Sequence, residues 1–167
     1  TVINYDDHMH PVWEVIRQII DPADGVTVLA DNTCTLCHNT LDAAGMAQIP
    51  AGQLDLTGGP SADEADHQTS YRELLFTDNE QELNNGALQD VLVQVGVDQN
   101  GNPIFATVPV APSMSVAGAN ASGTFFSRFD TGGTHEGYLT PAELRLIAEW
   151  LDIGGQYYNN PFDAPLN

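Results

Sequence analysis

Lysine is missing from this chain of 167 residues, whose cations amount to Arg17, Arg72, Arg128 and Arg145. Against 23 acidic side chains they leave a formal charge of −19. A surface of that sign repels phosphate backbones and anionic headgroups, which excludes nucleic acid and anionic membrane as partners. The acids are scattered rather than blocked, so no disordered acidic tail is expected. Long hydrophobic runs are also absent. No stretch approaches the roughly 20 apolar residues of a membrane-crossing helix, and no membrane insertion is expected. Cysteine is scarce, with only Cys34 and Cys37. A disulfide across two intervening residues would be strained, a second ligand pair for zinc is missing, and no alternating β/α pattern surrounds a thioredoxin-like pair. EF-hand spacing is missing as well.

The two thiols belong to Cys34-Thr35-Leu36-Cys37-His38, the spacing of a c-type haem attachment site. Each thiol can add to one vinyl group of the porphyrin, and His38 is then held beneath the iron as an axial ligand. The expected cofactor is one covalently attached haem c. Such haem is attached outside the cytoplasm in bacteria, so a periplasmic or extracellular protein is expected. The N-terminus shows no signal-peptide pattern and begins at Thr1, which fits a mature or excised portion of an exported protein.

Apolar positions Val12, Ile16, Ile19 and Ile20 recur at helical spacing after Pro11, predicting a helix over 12–20 that Asp21-Pro22 stops. Asp31, Asn32 and Thr33 can cap a helical turn carrying the haem motif. Residues 39–70 read mostly as loop, with a brief extended piece at 53–56, and 70–76 as a second helix. The β-branched runs 91–97 and 104–110 flank Asn100-Gly101, a strong turn dipeptide, so a β-hairpin is predicted over about 91–110. Thr140-Pro141-Ala142-Glu143 is a capping box that opens a helix over about 141–153, with Leu144, Ile147, Ala148 and Leu151 as its buried stripe and Gly154-Gly155 as its stop. The Pro- and Asn-rich ending, 156–167, reads as extended.

The N-terminal Ile3-Asn4-Tyr5, His10-Pro11 and Trp13, the Cys-Thr-Leu-Cys-His motif and the stretch 132–162 together resemble a cytochrome c-like monohaem domain. Domains of this kind occur in bacterial multi-domain c-type cytochromes, including the C-terminal haem domain of the hydrazine synthase alpha subunit. The resemblance implies a single domain over 1–167, mainly α, with a cytochrome c-like helical fold around one haem, an inserted β-hairpin and long loops. It implies electron transfer through an iron with two protein ligands, and not hydrazine synthesis, whose catalytic haem lies in a different domain. It also places the distal ligand in the loop before the last helix, where His135 sits among glycines that let backbone approach a flat macrocycle. Met114 is the alternative, and Met9, Met46, His8, His10 and His67 are further candidates. His67 lies in an acidic segment and is expected to be solvated. Arg128, set among Phe125, Phe126 and Phe129, is the best candidate to meet the haem propionates, with Arg72 next. Trp13, Tyr138 and Trp150 are expected to be core or haem-packing aromatics.

These features predict a monohaem electron carrier rather than an enzyme, with a six-coordinate, low-spin, bis-His iron. Its redox partner protein would present a basic docking face. Two alternatives stand beside it. One is a haem enzyme or gas-binding protein with an open sixth site, using an acid such as Glu136 for proton transfer. The other is a haem subunit docked in a larger multi-haem cytochrome assembly through the hairpin and tail.

Overall fold

Pro11 and the aromatics around it decide how the chain begins. In the computed structural model, which describes residues 2–159, a π-turn over Tyr5–Met9 runs straight into helix α1, His10–Glu14. The Asn4 side chain caps the turn by accepting from the Asp7 amide at 2.9 Å. Tyr5, Met9, Val12 and Trp13 are buried on its inner side. The helix predicted over 12–20 stops at Glu14, because the backbone at Val15 is extended, with ψ of 125°. Gln18–Ile20 instead forms strand β1, antiparallel to β2, Val28–Asp31. Val15, Ile16, Ile19 and Ile20 are β-branched, crowded in a helix and at ease in a strand. The turn between the strands uses Gly25 at φ 71°.

Helix α2 is the single turn Cys34–Cys37. After it the chain is irregular, apart from a 3-10 turn over Ala51–Gln53, until α3, Thr69–Leu75. Short strands follow: β3 Asp78–Asn79, β4 Gln81–Asn84, β5 Ala87–Asp90, β6 Leu92–Val97, β7 Pro103–Thr107 and β8 Pro109–Val110. They pair in antiparallel twos, β3 with β8, β4 with β5 and β6 with β7. The β6–β7 hairpin turns through Asp98–Asn102 hydrogen bonds and Gly101 at φ 84°. Residues 109–110, predicted as the end of that hairpin, leave it to pair with β3.

A 3-10 turn over Asn120–Ser122, helix α4, Gly123–Phe126, and α5, Pro141–Asp152, complete the described elements. At α5 the Thr140 hydroxyl accepts from the Glu143 amide at 3.2 Å, while the Glu143 carboxylate accepts from the Thr140 amide at 2.7 Å. Two otherwise orphaned donors are satisfied in this way. Ile147, Trp150 and Leu151 bury its inner face, and positive φ at Gly154 and Gly155 ends it. The extended ending expected over 156–167 lies outside the described residues from 160 onward.

The expectation of a mainly α, cytochrome c-like helical fold is corrected by these elements. Helix accounts for 27% of residues and strand for 22%, in five short helices and several small antiparallel sheets among the described residues, so the fold is an α/β mix. The physical reason is a division of labour. Helices and the N-terminal turn supply the core, where Tyr5, Met9, Trp13, Leu74, Ile147, Trp150 and Leu151 are almost fully buried. The strands are ribbons in the connections, and every side chain of β6 is exposed. Apolar periodicity reports the core and says little about such ribbons. Trp13 Nε1 donates to the Tyr5 hydroxyl at 3.0 Å, and the Ser70 hydroxyl lies 2.9 Å from that oxygen and 3.0 Å from His10 Nδ1, so the buried polar groups there are satisfied. Among the described residues no helix is long and apolar enough to cross a membrane.

Candidate functional site

Cys34 and Cys37 sit one helical turn apart on α2, both as free thiols, Cys34 partly covered and Cys37 exposed. The His38 amide closes the turn by donating to the Cys34 carbonyl at 3.0 Å. The His38 ring then meets the Leu54 carbonyl, with Nδ1 at 3.2 Å. A carbonyl oxygen can only accept, so Nδ1 carries the proton and Nε2 keeps a free lone pair. This orientation is what a metal-binding imidazole needs.

Arg17 pins the start of α2. Its guanidinium donates to the Val12 carbonyl at 2.8 Å and the Val15 carbonyl at 3.0 Å, lies 3.8 Å from Cys34 Sγ, and pairs with the Glu143 carboxylate. Its amide donates to the Thr33 hydroxyl at 2.9 Å. One side chain therefore ties α1, the thiol turn and the capping box of α5 together. Burial pushes the Cys34 thiol above its usual range, against the opposing effect of Arg17.

His135 faces the same site from the loop before α5. Its amide donates to the Arg128 carbonyl at 2.8 Å, and its Nδ1 lies 2.8 Å from the Thr134 hydroxyl. The glycines of this loop were expected to make room for a macrocycle. At Gly133 the crowding comes from the chain itself: an added Cβ would stand 2.3 Å from the Arg128 carbonyl oxygen.

The rings of His38 and His135 have their centres 6.0 Å apart and their planes 29° from parallel. Ordinary aromatic pairs span about 4.5–7 Å, so the spacing gains its meaning from its surroundings. Both rings line a cleft of about 300 Å³, together with Cys34 and Cys37. Trp13, Leu54, Leu56, Phe125, Phe129 and Tyr138 form its apolar walls, and exposed Arg128 stands at its edge. Burial lowers the pKa of both histidines, helped at each by Arg128 and at His38 by the neighbouring His135. Both therefore offer neutral imidazole lone pairs at neutral pH. Thiols, an oriented imidazole, a facing imidazole and an apolar wall in one cleft fit a covalently held haem. Among the described residues no three His, Cys, Asp or Glu side chains converge on a bare metal ion.

The other candidate ligands lie elsewhere. Met114 is 2% exposed within the hydrophobic core and is not part of the cleft wall. Met9 is also core, and Met46 is exposed. His8 lies against Asn4, and His10 is buried against Ser70. His67, expected in solvent, packs 4.5 Å from Tyr157 and 4.9 Å from Tyr71. Arg72 stacks 3.8 Å above the Phe76 ring, beside a second cavity of about 410 Å³ lined with carboxylates. That larger cavity is too polar for a macrocycle. Arg17, Leu54 and Thr134 position the site without having stood out in the sequence; a lone arginine, a backbone carbonyl and a threonine carry no motif.

No family model, curated protein or solved structure matches the chain.

Proposed function

We propose that the chain is a monohaem c-type cytochrome that carries single electrons through a six-coordinate, low-spin, bis-His iron. The observation that carries this reading is the 6.0 Å pairing of His38 with His135 in the cleft that also contains both thiols. Cys34 and Cys37 would hold the haem covalently, and His38 and His135 would hold its iron. When bound, haem c supplies reversible one-electron chemistry at its iron. The chain's own residues do the rest. The Leu54 carbonyl and Thr134 hydroxyl fix the two rings, the apolar walls exclude water, and Arg128 supplies a cation at the edge of the cleft where a propionate would be met. The charge of −19 suits an exported carrier whose redox partner presents a basic face.

The test is to express the full chain with a c-haem maturation system and record visible and near-infrared magnetic circular dichroism spectra. Wild type should hold one haem that survives denaturation, with low-spin bis-His bands and no response to carbon monoxide. His135→Ala should open the sixth position and bind carbon monoxide. Haem lost on denaturation would sink the attachment, and a wild type that takes up carbon monoxide would sink the six-coordinate carrier.

A further inference from the structure

One peptide unit links the cleft to the carboxylate-lined cavity. The Leu54 carbonyl accepts from His38 Nδ1 at 3.2 Å, and the amide of the same peptide, on Asp55, donates to Glu73 Oε2 at 3.4 Å. The Glu73 carboxyl in turn lines that cavity together with the Asp78 carboxyl. We propose that Glu73 tunes the electron affinity of the site at His38 through the Leu54–Asp55 peptide, so that electron uptake is coupled to protonation of Glu73. This rests on the haem reading above.

The sign follows from the hydrogen bonds. An ionised Glu73 draws harder on the Asp55 N–H, which polarises the peptide and makes the Leu54 oxygen a stronger acceptor. His38 Nδ1–H is then pulled further toward that oxygen, and its ring becomes the more basic ligand, which favours the oxidised state. The nearby negative charge acts in the same direction. On reduction one electron arrives from the donor protein and a fraction of a proton passes from solvent to the Glu73 carboxyl. Both leave on reoxidation. The cavity of about 410 Å³ beside Glu73 gives that proton its route.

The groups facing Glu73 are few. Asp55 comes from the segment after the 3-10 turn, with its carboxylate occupied by the Thr57 amide and hydroxyl at 2.9 and 2.7 Å. Asp78 comes from β3, and Arg72 precedes Glu73 on α3 with its guanidinium stacked on Phe76. Asp63 and Asp90 line the same cavity. Burial, reinforced by Asp78, pushes the Glu73 carboxyl up to about 8, inside the working range of pH.

The experiment is a spectroelectrochemical titration of the haem-loaded full chain between about pH 5 and 10, which brackets that value. It is run on wild type, Glu73→Gln and Asp78→Asn, with the Asp55 amide followed by NMR in the reduced state. Wild type should show one downward step in potential centred near pH 8. Its height should match at least a threefold difference in Glu73 acidity between oxidation states, about 28 mV at 59 mV per decade. Glu73→Gln should remove the step and the Asp55 shift while leaving the low-spin spectrum intact. Asp78→Asn should move the step to lower pH. A wild-type potential flat across this range, or a step that survives Glu73→Gln, overturns the coupling. A chain that takes up no haem overturns the haem reading, and a flat titration on a fully loaded chain overturns only the coupling.

Discussion

Gly133→Ala tests the packing that brings His135 to the cleft. The added methyl would stand 2.3 Å from the Arg128 carbonyl oxygen and 2.7 Å from that of Ser127, both backbone atoms that cannot rotate away. The loop must therefore move off the Arg128 carbonyl, which is the acceptor of the His135 amide at 2.8 Å. Overpacking costs about 1–3 kcal/mol, and the disturbed hydrogen bond adds about 0.5–1.5 kcal/mol. For a domain of this size the sum lowers Tm by roughly 3–18 °C. Gly132→Ala is the control. Gly132 has φ of 82° but nothing within 4 Å of an added Cβ, so it carries backbone strain of about 1 kcal/mol and no collision. Differential scanning calorimetry and visible spectra of both variants decide the matter. Gly133→Ala should melt several degrees below Gly132→Ala and show a partial loss of the low-spin bands. Equal melting points, with low-spin bands intact in both, would refute the claim that this carbonyl contact positions His135.

Two further outcomes follow from other parts of the chain. Met114→Leu should leave the low-spin spectrum unchanged and cost less than about 1.5 kcal/mol in urea titration, because Met114 is 2% exposed core and the swap nearly conserves volume. A spectrum that turns high-spin would make Met114 the ligand. The Arg17–Glu143 pair should make stability acid-sensitive. Burial opposes the charge of Glu143, but hydrogen bonds from Thr140 and the nearby Arg17 outweigh it and hold the carboxyl below its ordinary value of 4.5. A lowered folded-state value means the stabilisation is present above the unfolded value and is lost as pH falls through the folded one. Glu143→Gln should thus cost roughly 1–3 kcal/mol at pH 7, and the gap in Tm to wild type should close below about pH 4. A gap that stays constant from pH 7 to about pH 3 would refute the charge-based account.

What could be read from the sequence depended on whether the signal was local. The thiol–imidazole motif, the Thr140–Glu143 capping box and the Asn100-Gly101 turn are each complete within a few residues, and each predicted element has its counterpart in the fold. The Asn85-Gly86 turn between β4 and β5 was just as local, with φ of 52° and 82°, and went unread because the strands beside it are polar and exposed. Val12, Ile16, Ile19 and Ile20 fit a helical period, yet the chain leaves the helix at Val15 and exposes the last three. Spacing cannot distinguish a buried stripe from a ribbon turned to solvent; only the partner surface does. His67 shows the reverse error, since its acidic neighbours suggested water while Tyr71 and Tyr157 cover its ring. The site divides along the same line. His38 is fixed by its own motif, but its proton is fixed by Leu54, sixteen residues on, and its facing imidazole is held by a carbonyl that leaves no room for a Cβ at Gly133. Residue type is thus legible in short sequence, whereas ring orientation belongs to long-range backbone contacts.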